Sequence, residues 1–429
     1  MNKNFIFYFL LLIIVPLPLF GYLDPGSGSM LFSAVIGIVA TLFFVIKGVF
    51  FKIIDLPAYF SGVSRGKRAK HSIVFYCEGP QYWNIFLPVI KELSSRNVKC
   101  TYLSSKENDP GLSCGFPNVE TKFIGEGNKA FFYLNTLSAD VCIMTTPGLD
   151  VLQIKRSKGV KKYIHITHSS GGCSGYSTFG LDYYDIVLTG GEGDKEFINK
   201  IEEVRGLNKK IVEPVGCTYL DIMRDRLNEL ENCKNDSNGR KTILISPTWG
   251  SHGLLNKYGE RLLKIITGSG KYSIIVRPHP QSFVSEKKIV DELMERYQDN
   301  EFLKWDREPD GLNSMKRADI MVSDFSGIVF DFIFLFKKPV ITFKDHYDRK
   351  GKDSMDYPGI PWNIKVLDIA GKSLNDKDIE KIDEIIEDVA GAGISEDVFN
   401  TLKDGMDKYP MESGKRAADV ILKTVSGGI

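Results

Sequence analysis

The feature that most limits how this chain can fold is a regular alternation, between residues 71 and 343, of short β-rich runs with longer amphipathic runs. Short apolar runs bounded by turn residues are typical of buried strands, and apolar residues spaced three and four apart are typical of helices. The predicted strands lie at 72–77, 98–103, 119–124, 141–145, 163–167, 185–189, 242–246, 273–276, 320–322 and 339–343, with another near Leu303. The predicted helices lie at 83–93, 130–137, 149–158, 257–267, 285–297 and 328–335. Because strands that alternate with helices form βαβ units, the sequence predicts an α/β fold with parallel sheets.

A charged, strand-poor stretch at 224–241 interrupts this alternation, and we interpret it as a domain boundary. The sequence therefore predicts an N-terminal Rossmann-like domain at 70–223, a C-terminal Rossmann-like domain at 240–370 and a helical tail at 371–429. Two doubly wound domains in series are expected to face each other across a cleft. Ligands bind such sheets beyond the carboxyl ends of the strands, where helix N-termini present free N–H groups.

The first 55 residues have the composition of a membrane segment. Residues 5–20 are apolar and are interpreted as a signal peptide or a short first span. Residues 30–51 carry a single charge and are long enough to cross a bilayer, although a buried core helix is an alternative. Residues 52–70 are rich in Lys and Arg, which places the rest of the chain in the cytoplasm. The sequence thus predicts a transmembrane helix or hairpin at 1–55, in the cytoplasmic membrane, with cytoplasmic catalytic domains.

Composition and missing motifs exclude several classes of function. The net charge of +1 gives no general attraction to nucleic acid. The seven cysteines include no Cys-x-x-Cys pair, which argues against a zinc site or a disulfide framework. No phosphate-binding loop of the G-x-x-x-x-G-K-[ST] type is present. We therefore expect no nucleic-acid partner, no metal site and no cofactor.

The segment Arg277-Pro278-His279-Pro280 follows the predicted strand 273–276. A guanidinium group offers a fixed fork of donors for phosphate oxygens, and an imidazole can donate a hydrogen bond or a proton to a departing phosphate. The two prolines hold both side chains in a rigid turn outside the sheet. Arg277 and His279 are therefore predicted to contact an activated phosphate, with His279 in a catalytic role.

A second polar segment, Ser323-Asp324-Phe325-Ser326-Gly327, follows strand 320–322 and precedes an apolar helix. Hydroxyl and backbone N–H groups at a strand-to-helix junction form an anion site. Simple N-capping is an alternative reading that is compatible with phosphate binding. The segment is therefore predicted to bind an anion such as a phosphate group.

Two more segments follow predicted strands. Thr248, after strand 242–246, is predicted to touch phosphate or ribose. His168, after strand 163–167 in the first half of the chain, is predicted to face the cleft from the other domain. A neutral imidazole there can take the proton of an attacking hydroxyl, so His168 is the candidate general base. His165 is interpreted as a structural residue.

Together these segments resemble the CDP-glycerol glycerophosphotransferase family, which comprises teichoic-acid polyol-phosphate primases and polymerases. The resemblance rests on 247–249, 277–280 and 323–326 before 330–332, and it extends over roughly 70–343. It implies the GT-B architecture and the transfer of a polyol phosphate with release of CMP. It also implies that Ser323, Asp324, Ser326 and Gly327 bind the donor at the start of the helix. The chain departs from the family pattern at His168-Ser169-Ser170, where His-Gly-Thr is usual, and at Gly327 in place of serine. These differences leave the polyol, the acceptor and the donor nucleotide open.

The predicted function is transfer of a polyol phosphate, similar to glycerol phosphate, from a CDP-linked donor to a hydroxyl of a membrane-associated glycan or lipid. A GT-B glycosyltransferase that uses a nucleotide sugar is an alternative, because helix N-termini and arginines bind any nucleotide pyrophosphate. A UDP-sugar 2-epimerase is a second alternative, and the predicted membrane segment argues against it. A membrane-tethered binding protein without catalytic activity is a third alternative. The expected partners are a CDP-polyol or other nucleotide diphosphate donor, a lipid-linked or glycan acceptor, and the membrane.

Overall fold

A computed structural model of the chain describes residues 71–230, 239–308, 310–344 and 347–428, together with residues 38, 41 and 42. The chain divides into two compact units, Met1–Arg68 and Ala69–Ile429. The predicted membrane segment at 1–55 therefore lies almost wholly outside the described residues. Within the part that is described, no helix combines the length and the apolar character needed to span a bilayer.

The larger unit contains a seven-stranded parallel sheet in its N-terminal part. Its strand order is β3-β2-β1-β4-β5-β6-β7. The strands are β1 (His71–Cys77), β2 (Cys100–Ser104), β3 (Val119–Phe123), β4 (Ser138–Met144), β5 (Gly159–Ile166), β6 (Ile186–Thr189) and β7 (Ile211–Pro214). The accompanying helices are α1 (Trp83–Ser95), α2 (Asn128–Asn135), α3 (Glu192–Arg205) and α4 (Thr218–Glu229).

A second parallel sheet, of six strands, follows in the order β10-β9-β8-β11-β12-β13. Its strands are β8 (Lys241–Ile245), β9 (Tyr272–Val276), β10 (Leu303–Trp305), β11 (Ile320–Ser323), β12 (Val340–Phe343) and β13 (Gly371–Leu374). The helices of this part are α5 (Leu254–Ser269), α6 (Ser282–Ser285), α7 (Lys287–Arg296), α8 (Leu312–Arg317), α9 (Ile328–Phe336), α10 (Trp362–Lys365) and α11 (Ile382–Ala392). The predicted two-sheet α/β architecture is therefore confirmed.

The central strands are buried on both faces because helices cover both sides of each sheet. β6 and β11 contain no exposed residue, which explains why each appears in the sequence as a run of apolar residues and not as an alternating pattern. α9 is apolar around almost its whole circumference and packs in the core of the second sheet. The parallel order places the carboxyl ends of all strands of a sheet at one edge, where the predicted site residues follow.

The chain returns from the second sheet to the first near its C-terminus. α11 packs on α5 of the second part, whereas α12 (Glu396–Met406) and α13 (Ser413–Val425) pack on helices α3 and α1 of the first. Gly414 lies so close to Pro88 of α1 that an added Cβ would be 2.7 Å from the Pro88 Cβ. The terminal helix is thus an integral part of the first core.

The helix predicted at 149–158 does not form. This segment is a loop in which Asp150 has a φ of 64° and its N–H donates to the Ile154 carbonyl at 2.8 Å. The Asn135 side chain accepts from the Lys155 N–H at 2.7 Å. The apolar spacing was misleading because Leu149 and Ile154 are buried from a loop and not from one face of a helix.

Candidate active site

Asp324 follows β11 and organises the carboxyl edge of the second sheet. Its buried carboxylate accepts hydrogen bonds from the N–H groups of Thr248 at 3.0 and 3.1 Å, of Leu254 at 2.9 Å, and of Ser326 at 3.1 Å. Burial raises the pKa of Asp324 to about 6, although the N–H donors oppose this shift. Asp324 therefore joins the loop after β8, the start of α5 and the loop before α9. These hydrogen bonds hold the three segments in place, and direct contact between Asp324 and a phosphate donor substrate stays a prediction.

Ser323 does not present its hydroxyl to the site in this structure. The residue is fully buried as the last residue of β11, and its Oγ donates to the Ser246 carbonyl at 2.6 Å. The Ser323 hydroxyl is therefore engaged with a backbone carbonyl, and donor binding by Ser323 stays a prediction. The residue belongs to the strand, whose side chains point into the core, and not to the loop beyond it.

Ser326, Gly327 and Thr248 are only half-buried. Within the part of the chain that the structure describes, the hydroxyl groups of Ser326 and Thr248 make no hydrogen bond, nor do the N–H groups of Gly327 and Ile328. Ile328 begins α9, so these N–H groups lie at the positive end of the helix. Unused donors at a helix start form a suitable site for phosphate oxygens.

Arg277 is turned into the protein. Its Nη1 pairs with Asp306 Oδ2 at 2.8 Å, and its Nη2 donates to the Glu308 carbonyl at 2.9 Å, with both charged side chains buried. Ser314 donates to the same Asp306 oxygen at 2.5 Å. The guanidinium fork therefore holds the loop after β10 against β9. Sequence alone did not indicate this partner, and phosphate binding by Arg277 stays a prediction.

His279 lies at the exposed end of the same turn. Its Nδ1 accepts a hydrogen bond from the Gln281 N–H at 3.1 Å, so in the neutral ring the proton is on Nε2. Partial desolvation lowers the pKa of His279, with the nearby Glu286 opposing the shift and Arg277 adding to it. The Trp249 ring lies 6.4 Å from it, centroid to centroid. His279 is thus a neutral hydrogen-bond donor at neutral pH.

His168, two residues beyond β5, has the opposite tautomer. Its Nδ1 lies 3.1 Å from the Thr145 carbonyl oxygen, which can only accept, so Nδ1 carries the proton and Nε2 a lone pair. The ring stacks on Tyr176 at 4.9 Å and meets the edge of Tyr82 at 5.2 Å. Burial lowers the pKa of His168. This arrangement holds a neutral imidazole with an accepting Nε2, as a general base requires.

Tyr176 connects His168 to a second, fully buried histidine. Its hydroxyl lies 3.1 Å from His168 Nδ1 and 3.3 Å from His165 Nε2. Burial lowers the pKa of His165 well below its usual range, so this ring is neutral and forms part of the core. The supporting residues Thr145 and Tyr176 carry no sequence motif and were missed, since only the fold brings them to His168.

The loop after β5 touches the start of α9, which joins the two halves of the site. An added Cβ on Gly171 would lie 2.8 Å from Gly327 Cα, so this contact requires glycine. Ser170 Oγ lies 2.5 Å from Asp331 Oδ1 and 3.2 Å from the Gly327 carbonyl. Asn363 donates to the Gly171 carbonyl at 2.9 Å. The structure thereby brings the loop that contains His168 into contact with the loop at 323–327.

Asp331 is a further residue whose role the sequence did not reveal. It lies in the first turn of α9, is bonded by Ser170, and burial raises its pKa to about 6. A polar residue inside the apolar run 328–336 was the available signal. No group of three or more His, Cys, Asp or Glu side chains among the described residues is arranged to bind a metal. The expectation that no metal is used stays a prediction.

Comparison with known proteins agrees with this geometry. The sequence profile of the CDP-glycerol:poly(glycerophosphate) glycerophosphotransferase family matches residues 195–363. This segment includes Arg277, His279 and the loop at 323–327, but it begins after His168. No curated protein sequence matches the chain.

Solved structures with a similar fold include a teichoic acid polymerase and UDP-N-acetylglucosamine 2-epimerases. The wall teichoic acid polymerase TagF, at 13% identity, aligns over 92% of this chain and 98% of its own with a TM-score of 0.53. A putative UDP-N-acetylglucosamine 2-epimerase from Listeria monocytogenes, at 11% identity, aligns over 84% and 98% with a TM-score of 0.54. The UDP-GlcNAc 2-epimerase of Methanocaldococcus jannaschii, at 16% identity, aligns over 82% and 99% with a TM-score of 0.50. These likenesses show a GT-B-like fold, and the family match over residues 195–363 supports a CDP-glycerol glycerophosphotransferase-like enzyme.

Proposed function

We propose that this enzyme transfers glycerol phosphate, or a similar polyol phosphate, from a CDP-linked donor to a hydroxyl of a glycan or lipid acceptor. The observations that carry the proposal are the opposite tautomers of two histidines that follow strands of the two sheets, together with the unused donors at the start of α9. His168 offers a lone pair on Nε2, and His279 offers a proton on Nε2. A proton acceptor beside the attacking hydroxyl and a hydrogen-bond donor beside the departing phosphate both accelerate the transfer of a phosphoryl group between two oxygens.

In the proposed reaction the acceptor hydroxyl gives its proton to His168 Nε2 as its oxygen forms a bond to the phosphorus that carries glycerol. The bond from that phosphorus to the bridging oxygen breaks, and its electron pair leaves with CMP. Hydrogen bonds from His279 Nε2 and from the hydroxyl groups of Ser326 and Thr248 stabilise the departing phosphate. The N–H groups of Gly327 and Ile328 hold the donor at the positive end of α9. Arg277 and Asp324 keep these donors in place.

The acceptor and the location of the enzyme are proposals of the same kind. A teichoic-acid-like polyol-phosphate polymer or its lipid-linked starting unit fits the family that the profile describes. The apolar run at 30–51 and the basic residues at 52–70 favour attachment to the cytoplasmic membrane, with the transferase unit on the cytoplasmic side. Such an attachment would place the active site where a lipid-linked acceptor is available.

The decisive test is to incubate the purified full chain with a panel of CDP-linked polyols and UDP-linked sugars and to identify the nucleotide released. CMP release from CDP-glycerol, dependent on an acceptor hydroxyl, is expected. Release of UDP from a sugar donor would replace the proposal with the nucleotide-sugar alternative. Retention of nucleotide without turnover would indicate a binding protein.

The dependence of transfer on pH provides an independent check of the base. Because burial lowers the pKa of His168, its neutral form persists below the ordinary range for histidine, near 6.5. The acidic limb of kcat/KM should therefore have an apparent pKa below that value. An acidic limb centred above neutral pH would contradict a neutral His168 base.

A further inference from the structure

We infer that the carboxyl edge of the first sheet holds an acceptor subsite, formed by Glu78, Thr146, Tyr82 and His168, for an uncharged, polyhydroxylated acceptor terminus. This inference rests on the proposed function, since it uses His168 as the base. Three of its residues follow adjacent strands: Glu78 follows β1, Thr146 follows β4 and His168 follows β5. The strand order thus places them side by side at one edge.

Hydrogen bonds and ring contacts link the members of this subsite. Thr146 Oγ1 donates to Glu78 Oε2 at 3.1 Å, and the Thr146 carbonyl is fixed by the Tyr184 hydroxyl at 2.5 Å. The neighbouring Thr145 carbonyl accepts from the His168 ring, whose other side meets Tyr82. The carboxylate and the base are therefore held by the same two-residue turn after β4.

Glu78 retains capacity to bind a ligand. Its side chain is exposed, and across the described ranges no Lys or Arg forms an ion pair with it. Lys106, which lies beyond the next strand β2, is paired instead with Glu126 at 2.6 Å.

These groups define a chemical class of acceptor. An ionised carboxylate accepts hydrogen bonds and donates none, so it suits the hydroxyl groups of a sugar or a polyol. The half-buried Tyr82 ring gives an apolar face for the carbon atoms of such a group beside the base. A phosphate close to the attacking hydroxyl would be repelled by the Glu78 charge. The subsite therefore favours a neutral hydroxyl-bearing terminus over one that carries a phosphodiester next to the reacting oxygen.

The test compares two acceptors, an alkyl glycoside and the same glycoside extended by one glycerol phosphate unit, with the full chain and CDP-glycerol. The wild type should show the lower KM for the uncharged glycoside. Glu78→Gln should raise that KM about tenfold, as expected when a hydrogen bond to a charged group worth about 1.5 kcal/mol is weakened. Glu126→Gln, a carboxylate on the same part of the molecule, serves as the matched control and should leave both KM values unchanged.

Binding of the alkyl glycoside without donor, measured by calorimetry, separates this inference from the proposed function. Weaker binding to the Glu78→Gln variant supports the subsite even if CDP-glycerol is not the donor. Equal affinity in the wild type and the variant would overturn it, as would a wild-type preference for the phosphate-bearing glycoside. Absence of CMP release together with Glu78-dependent glycoside binding would reject the proposed donor and keep the subsite.

Discussion

The carboxyl edges of the two sheets use their polar residues in different ways. At the second edge, Asp324, Ser323 and Arg277 direct their hydrogen bonds inward, to backbone groups or to Asp306. At the first edge, the Glu78 carboxylate and the Nε2 atom of His168 can still accept hydrogen bonds from a ligand. A position just beyond a strand therefore does not by itself make a residue a ligand. The second edge combines internally bonded side chains with backbone N–H groups, short hydroxyls and the exposed His279, whereas the first presents the carboxylate of Glu78 and the lone pair of His168.

The strongest test of this comparison is His168→Ala, because His168 is proposed to act chemically and not as scaffold. Loss of one acid–base group typically lowers the rate by ~10²–10⁴-fold, and we expect kcat for transfer to fall within that range. CDP-glycerol affinity, measured by calorimetry, should be unchanged because the donor contacts come from the other edge. The exposed His252, paired with Asp348 at 3.6 Å, provides the control His252→Ala, which should retain transfer. Loss of donor binding in His168→Ala would contradict the division of roles.

A second test addresses Arg277 as a scaffold residue. Arg277→Ala leaves Asp306 as a buried carboxylate without its cation, and removal of one partner of a buried ion pair costs about 3–5 kcal/mol. The melting temperature of the full chain should fall markedly. Arg226→Ala breaks an exposed pair with Asp310 and should have little effect on melting. Unchanged melting of Arg277→Ala combined with lost donor binding would instead make Arg277 a phosphate ligand, as the sequence predicted.

The smallest expected effects separate two serines of one segment. Ser323→Ala removes a buried hydrogen bond to the Ser246 carbonyl and should destabilise the chain by about 1 kcal/mol without changing the KM for the donor. Ser326→Ala should leave melting unchanged and raise that KM about tenfold, since a hydroxyl bond to a phosphate is lost. Thermal melting of both variants measures the change in stability, and titration with the donor measures the change in KM. A reversed pattern would show that the strand end, and not the loop, binds the donor.

The sequence predicted the architecture well because its signals are local. Apolar runs and helical spacing reflect burial within a few residues, and they located nearly all strands that form the two sheets. The helix predicted at 149–158 was wrong because two buried apolar residues in a loop imitate the spacing of a helix face. The post-strand rule selected His168, His279 and the 323–327 loop, and the same rule could have selected Glu78.

The sequence by itself therefore determined where strands and loops follow each other along the chain. These positions define the set of residues that can reach the carboxyl edges of parallel sheets. Only the tertiary structure decided which of these residues are committed to internal bonds. The Thr145 carbonyl that sets the tautomer of His168 lies 23 residues away in the chain, and the Asp306 that occupies Arg277 lies 29 residues away. The physical reason is that strand pairing, and not sequence proximity, brings a hydrogen-bond donor to its acceptor.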